Sequence, residues 1–144
     1  MMKFVLDCSV TMAWFLEDEA TAYTEHLQDA LAEGSEAFVP SIWPFEVVNV
    51  FLVAERRNRI APERTDLLLN QLRILPIRVQ PAPSVHRMKE LTVIAREYGL
   101  TGYDTAYLEL ARREHLPLAT LDKDLSQCAG ASGVSLVQID GIVE

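Results

Sequence analysis

The sequence predicts a three-layer α/β fold, in which helices cover both faces of a central, mainly parallel sheet of four to five strands. Short apolar or β-branched runs alternate along the chain with longer stretches whose apolar residues recur at helical spacing. Strands that alternate with helices in this way are typical of parallel sheets. The length of 144 residues suits one domain, which we expect to span residues 1–144.

The first elements are predicted from the period of their apolar residues. Residues 3–6 are a short β-branched and apolar run, which predicts a buried strand. Residues 9–16 and then 18–32 carry apolar residues at helical spacing, and Gly34 follows as a stop. Residues 37–39 are a brief second strand.

The remaining elements continue the alternation. A long, very apolar helix is predicted from Ser41, with Pro44 in its first turn, where a proline does little harm, and with its end near the basic residues 56–59. Gly99 predicts the end of a later helix. The other predicted helices are 62–75, 83–98, 103–115 and 122–128, and the other predicted strands are 76–79, 117–121 and 135–139.

Composition and charge exclude some classes of protein. The formal net charge of −8 argues against a protein that coats nucleic acid with a broad basic face, but it is compatible with a nuclease that holds divalent cations. No run of about 18 apolar residues predicts a membrane span, and Asp7 interrupts the apolar run that a secretory signal needs. Cys8 and Cys128 form no disulfide framework, so we expect reduced thiols and a cytoplasmic location.

Two aspartates directly follow predicted strands. Asp7 comes after residues 3–6, and Asp122 comes after residues 117–121. The functional crevice of an open parallel sheet lies beyond the carboxyl ends of its strands. We therefore expect both carboxylates at the same edge of the sheet.

Each of these acids also has a simpler explanation as part of a helix cap. Asp7 with Ser9, or Asp122 with Asp124, could satisfy free amides at a helix start. Thr101 followed by Asp104 has the spacing of a capping box. Taken one at a time, these acids leave capping and a functional role both open.

Glu46 is harder to explain as a structural residue. It lies in an apolar helix, and no Lys, Arg or His occurs among residues 41–55. Asn49, three residues later, is its polar companion on the same side of the helix. Because a buried charge is normally paired or bound to metal, Glu46 needs either a partner from elsewhere in the chain or a metal ion, and we favour the metal.

A cluster of carboxylates has a strong electrostatic requirement. Two unit charges about 4 Å apart repel by roughly 4 kcal/mol at an effective dielectric constant near 20. A dication among them removes that repulsion, and Mg²⁺, or alternatively Mn²⁺, takes oxygen ligands while keeping bound waters. His26, His86 and His115 are scattered without ligand spacing, which counts against zinc.

Four motifs together resemble those of PIN-domain ribonucleases, and most closely the VapC toxins of bacterial type II toxin–antitoxin pairs. The motifs occur in the family's order over almost the whole chain, and Cys8 is the one small departure, at a position where alanine is more usual. They read F-V-L-D-C-S-V-T-M-A-W-F-L-E-D-E, P-F-E-V-V-N-V-F, G-L-T-G-Y-D-T-A-Y-L-E-L-A and P-L-A-T-L-D-K-D-L. The resemblance implies a PIN-like fold and metal-dependent hydrolysis of RNA phosphodiesters.

The resemblance also implies the residues of the site. The catalytic and metal-binding quartet is expected to be Asp7, Glu46, Asp104 and Asp122, with Asp7 and Asp104 as the principal ligands. Supporting residues beside the quartet are expected to be Ser9, Asn49, Thr120 and Asp124. Whether Asp122 or Asp124 is the closer ligand, and whether one or two ions bind, stays open.

The partners implied by the resemblance are an RNA substrate, a small cognate antitoxin and a second copy of the chain in a homodimer. Tyr103 is a candidate for base stacking. Candidate contacts to the RNA backbone are the basic residues Arg56, Arg57, Arg59, Arg112 and Arg113, and in addition His86, Arg87 and Lys89. The alternative for the arginine clusters is that they complement helix dipoles near helix ends.

Two other classes of protein are alternatives. One is a phosphoacceptor signalling domain of the receiver type, which also gathers acids around Mg²⁺. It needs an aspartate after a central strand, whereas residues 76–79, the middle strand of the sequence, are followed by Gln80 and Pro81. The other is a non-catalytic protein that keeps the PIN fold, which the complete acidic quartet disfavours.

Overall fold

Four parallel strands form the sheet, in the spatial order β3–β2–β1–β4. The structure is a computed structural model, and it describes residues 1–139. Its strands are β1 (Lys3–Leu6), β2 (Glu36–Val39), β3 (Ile77–Val79) and β4 (Leu118–Ala119). Its helices are α1 (Cys8–Ala13), α2 (Ala22–Ala32), α3 (Trp43–Arg56), α4 (Pro62–Arg73), α5 (Val85–Tyr98), α6 (Gly102–Glu114) and α7 (Lys123–Ala131), and a short 3₁₀ turn spans Glu17–Glu19.

Helical layers cover both faces of the sheet, as predicted. Phe4, Val5 and Leu6 of β1 are all fully buried. Because successive side chains of a strand point to opposite faces, their burial requires cover on both sides. The predicted α/β class is therefore confirmed. No helix among residues 1–139 is long and apolar enough to cross a membrane.

The last predicted strand, residues 135–139, is wrong as an element. Leu136 forms an isolated parallel bridge to Leu118, supported by backbone hydrogen bonds from Leu118 to Ser135 and from Val137 to Leu118. Since β4 is only two residues long, it offers this segment too short an edge for a regular ladder. Within residues 1–139 the sheet consequently has four strands, at the lower end of the expected range. The domain prediction extends to residues 140–144, which lie outside the described part.

The strand β3 lies at an edge of the sheet, so the expectation that residues 76–79 form a central strand is wrong. β3 pairs only with β2, whereas β1 pairs with both β2 and β4. The middle of the sequence is not the middle of the sheet, because the helical crossovers decide which strands become neighbours. Asp7, at the end of β1, therefore follows an interior strand.

The predicted helix 18–32 is interrupted. Thr21 begins α2 with a capping box, in which its hydroxyl accepts from the Thr24 amide and the Thr24 hydroxyl accepts from the Thr21 amide. The exchange fixes Thr21 in extended conformation and separates α2 from the preceding turn. The other predicted helices are present with shifted ends, and Gly99 ends α5 with φ of 66°, in the left-handed region that suits glycine.

Candidate metal centre

Asp7 is the most buried acid of the predicted quartet, with 7% of its surface exposed. It stands at the end of β1, where its amide donates to the carbonyl of Ala119 in the next strand. Within residues 1–139 its carboxylate makes no capping bond to α1 beyond its contact with the amide of Cys8, the first residue of that helix. Instead, Oδ2 accepts from the hydroxyls of Ser9 and Thr120, each at 2.7 Å. The capping interpretation of Asp7 is therefore wrong.

The two hydroxyls are oriented by backbone amides. Ser9 Oγ accepts from the amide of Leu121 at 3.0 Å, and Thr120 Oγ1 accepts from the amide of Asp122 at 3.0 Å. Because each oxygen takes a hydrogen from an amide, its own hydrogen is directed to Asp7. Ser9 and Thr120 thus connect the Asp7 carboxylate rigidly to the carboxyl end of β4.

The pKa of Asp7 is raised above its usual value, mainly because burial disfavours the charged form. The hydrogen bonds from Ser9, Thr120 and the Cys8 amide oppose this rise in pKa, and the negative charge of Asp122 adds to it. Burial, Glu46 and Asp7 also raise the pKa of the Cys8 thiol, so Cys8 is a buried apolar residue here.

Glu46 lies in the first turn of α3 and is half-buried. Its Oε1 accepts a hydrogen bond from the hydroxyl of Tyr107 on α6. Burial raises the pKa of Glu46, the Tyr107 hydrogen bond lowers it, and the charges of Asp7 and Asp104 raise it again. The partner of Glu46 from elsewhere in the chain is therefore the neutral hydroxyl of Tyr107, which does not compensate the negative charge of the carboxylate.

Asp104 and Asp122 stand at the starts of α6 and α7. Thr101 caps α6 by accepting from the Asp104 amide, but within residues 1–139 the Asp104 carboxylate forms no hydrogen bond. Its pKa is raised by burial first and then by Asp122, Asp7 and Asp124. Asp122 does cap α7, since its Oδ1 accepts from the Leu125 amide at 3.0 Å, which leaves Oδ2 available.

One open cleft of about 640 Å³ collects the whole quartet at the carboxyl edge of the sheet. Ser9 and Asn49 line the same cleft, whereas Thr120 is buried behind Asp7 and Asp124 is exposed at its margin. Among residues 1–139, none of the four carboxylates forms an ion pair with Lys, Arg or His. The quartet is therefore a concentration of negative charge in which no member has an ion-pair partner, although Arg57 and Arg59 line the same cleft.

The donor set fits a hard divalent cation that keeps part of its water shell. All candidate ligands are carboxylate oxygens, the type that Mg²⁺ and Mn²⁺ prefer. No three His, Cys, Asp or Glu side chains of residues 1–139 lie close enough together to bind one ion directly. A cation held by these residues would therefore be bound partly through water, as is usual for Mg²⁺.

The structure separates the predicted RNA contacts into two groups. Arg57 and Arg59 line the acidic cleft, and Arg59 also pairs with Asp18 at 2.7 Å. The others lie elsewhere: Arg56 is exposed in the last turn of α3, Arg112 borders other depressions, and Tyr103 and Arg113 line a separate groove beyond β2 and β3. Of the additional basic residues, His86 pairs with Glu90, Arg87 pairs with Glu109, and Lys89 is exposed.

Sequence reasoning missed Tyr107 and Glu109. Tyr107 is fully buried, and its contact with Glu46 joins residues 61 positions apart. Burial and Glu46 raise the pKa of its phenol above the usual value, so it stays protonated. Glu109 is 4% exposed and pairs with Arg87 and Arg113. The only sequence signal for either residue is its position, three or five residues after Asp104 on the same helix. Such spacing does not reveal a hydrogen-bond or ion-pair partner on another helix.

Comparison with known proteins identifies the family. The chain belongs to the PIN-domain family, whose model matches residues 4–131. It is 25% identical over 126 residues to Ribonuclease VapC3 from Pyrobaculum aerophilum, covering 88% of this chain and 94% of that protein.

Two solved structures share the fold. The crystal structure of PAE2754 from Pyrobaculum aerophilum superimposes with a TM-score of 0.64 at 21% identity, over 88% of this chain and 79% of that one. VapBC2 from Rickettsia felis, bound to a DNA fragment from its promoter, gives a TM-score of 0.62 at 14% identity over 95% and 98%.

Proposed function

We propose that this protein is a metal-dependent endoribonuclease and the toxin of a type II toxin–antitoxin module. The observation that carries the proposal is the cleft that gathers four carboxylates, none of which forms an ion pair within residues 1–139, in a chain of the PIN-domain family. Similarity to a protein named Ribonuclease VapC3 supports RNA as the substrate. Because the chain belongs to the PIN-domain family, the phosphoacceptor alternative is not retained.

The roles of the residues follow from their hydrogen bonds. Asp7 and Asp104 would be the principal ligands of Mg²⁺ or Mn²⁺, with Glu46 and Asp122 completing the shell. The cation, when bound, lowers the pKa of a water and neutralises charge on the phosphate. Ser9 and Thr120 hold Asp7 in one orientation.

Asn49 would support the quartet, since it lies three residues after Glu46 on α3, is exposed and lines the cleft. Asp122 is favoured over Asp124 as the closer ligand because Asp122 lines the cleft and Asp124 does not. A carboxylate of the cleft would receive the proton of the attacking water. Arg57 and Arg59 would contact the RNA backbone.

The proposed partners are a small antitoxin and a second copy of the chain. The antitoxin is supported by structural likeness to VapBC2. The homodimer is supported by an exposed apolar stripe on α3, formed by Phe45, Val48 and Leu52, of which Phe45 is 72% exposed. A cytoplasmic location is part of the same proposal.

Replacing Asp7 or Asp104 by Asn tests the proposal. Each change keeps the shape and removes one charge, so we expect RNA cleavage in Mg²⁺ to fall by about 100-fold or more, in line with the several kcal/mol that a catalytic cation supplies. Asp66→Asn, an exposed change on α4, is the matched control. Cleavage should also stop in EDTA. Full activity in folded D7N or D104N would refute the assignment of these ligands, whereas a folded wild type that does not cleave RNA in Mg²⁺ would favour the non-catalytic alternative.

A further inference from the structure

Tyr107 occupies an unusual position between the two sides of the cleft. Its side chain is fully buried on α6, three residues after Asp104, and its hydroxyl donates to Glu46 Oε1 on α3. Within residues 1–139 this is the only hydrogen bond of the Glu46 side chain. The bond therefore connects α3, which carries Glu46, with α6, which carries Asp104.

We propose that Tyr107 is a positioning residue that holds the Glu46 carboxylate in the orientation required to bind the divalent cation. The inference rests on the proposed function of the cleft and adds a residue to it. Oε1 is directed to the tyrosine, which leaves Oε2 for the cleft that Glu46 lines. Fixing the carboxylate before the cation binds removes the entropy cost of ordering a flexible glutamate side chain.

The chemistry of the donor supports this role. A Lys or Arg in the same place would also orient Glu46, but its charge would compete with the cation for the carboxylate. A tyrosine hydroxyl orients the carboxylate and leaves its negative charge intact. Asp7 is held by the same kind of donor, the hydroxyls of Ser9 and Thr120. Neutral hydroxyl donors are thus used for both half-buried and buried acids of the cleft.

A purely structural role for Tyr107 is the alternative, because the ring is part of the core. Tyr107→Phe keeps the ring and deletes only the hydroxyl. Tyr23→Phe is the matched control, since the Tyr23 hydroxyl is also in a buried hydrogen bond, to the Val137 carbonyl at 2.9 Å. Tyr23 does not line the acidic cleft.

The experiment measures Mn²⁺ affinity by electron paramagnetic resonance for the wild type, Y107F, E46Q, the double variant and Y23F. We expect Y107F to bind Mn²⁺ about 10-fold more weakly, as is typical when a group orienting a ligand is removed. E46Q should weaken binding as well, and the double variant should bind no more weakly than E46Q. Y23F should bind as the wild type does.

Each other outcome has a separate meaning. If E46Q weakens binding but Y107F does not, or if the two losses add in the double variant, Tyr107 does not act through Glu46 and this inference is overturned. If E46Q binds as the wild type does, Glu46 is not a ligand, and the proposed role of Glu46 fails together with this inference.

A measurement on the unmodified protein does not depend on how the variants fold. The buried hydroxyl proton of Tyr107 should exchange slowly enough to be observed by nuclear magnetic resonance. It should shift when diamagnetic Mg²⁺ is added, because the charge on Glu46 is then shared with the cation. A resonance that stays unchanged at saturating Mg²⁺ would overturn the inference.

Discussion

Asp7 and Glu109 are both nearly inaccessible to solvent, but the protein treats them in opposite ways. Glu109, 4% exposed, has both oxygens in ion pairs, with Arg87 at 3.0 Å and with Arg113 at 2.9 Å. Asp7, 7% exposed, receives side-chain hydrogen bonds only from neutral hydroxyls within residues 1–139. Glu109 is thus neutralised by its own chain, whereas Asp7, which we propose as a metal ligand, is oriented by hydroxyls and has no ion-pair partner within residues 1–139.

The largest effect that the comparison predicts is stabilisation by the cation. Mg²⁺ at about 100 times its dissociation constant should raise the free energy of unfolding of the wild type by about 2.7 kcal/mol. D7N should gain almost nothing, because it loses a principal ligand. Urea unfolding with and without Mg²⁺ measures both values. Equal gains in the two proteins would mean that the cation binds away from Asp7.

Removing the charge of Glu109 should have the next largest effect. In Glu109→Gln, the half-buried Arg87 and the exposed Arg113 lose their anion. We expect the free energy of unfolding to fall by about 2 kcal/mol, less than for a fully buried pair because both arginines reach solvent. Glu114→Gln is the matched control, since Glu114 pairs with Arg113 at a more exposed position. Urea unfolding should show little change for E114Q, and both variants should keep the response to Mg²⁺.

Removing the charge of Asp7 should stabilise the metal-free protein. D7N eliminates a buried charge that has no counter-charge, so in EDTA at pH 7 we expect a gain of about 1 kcal/mol, or a rise in Tm of about 3 °C for a domain of this size. Thermal unfolding in EDTA provides the measurement. A D7N protein less stable than the wild type would show that the Asp7 charge is compensated in the fold.

The difference in free energy of unfolding between D7N and the wild type in EDTA should depend on pH. The pKa of Asp7 is raised in the folded state, so the folded protein binds more protons than the unfolded chain between the usual value of 3.8 and the raised one. The free energy of unfolding of the wild type then falls as pH rises through that interval. The advantage of D7N in EDTA should be greatest at pH 7 and shrink towards pH 4, and an advantage that grew on acidification would contradict the pKa assignment.

The smallest effect should come from the arginines at the end of α3. Arg57 lines the cleft and Arg56 does not, although both are exposed. Arg57→Glu should weaken RNA binding and reduce the slope of log affinity against log salt by about 0.7 for each lost contact to single-stranded RNA. Arg56→Glu should change the slope less, as measured by RNA binding across salt concentrations. If both variants changed the salt slope equally, a specific role for Arg57 in contacting the RNA backbone would be contradicted.

Much of the site could be predicted because strand ends are local features. Asp7 and Asp122 each follow a strand, and parallel strands place their carboxyl ends at one edge, so their meeting in one cleft needed no structural information. Glu46 was identified from its apolar surroundings in the same local way. The partners of these acids could not be predicted, since Tyr107 reaches Glu46 across 61 residues and Thr120 reaches Asp7 across 113.

The sequence by itself determined the alternation of strands and helices, because the backbone of each element sets the direction of its side chains and hence the apolar period. It also determined which acids stand at strand ends and helix starts. Other features are visible only in the tertiary structure. They are the edge position of β3, the place of Arg57 in the acidic cleft, the ion pair of Arg113 with Glu109 and the hydrogen bond of Tyr107 to Glu46. These contacts depend on how helices pack across the sheet, and packing joins residues whose separation along the chain carries no periodic signal.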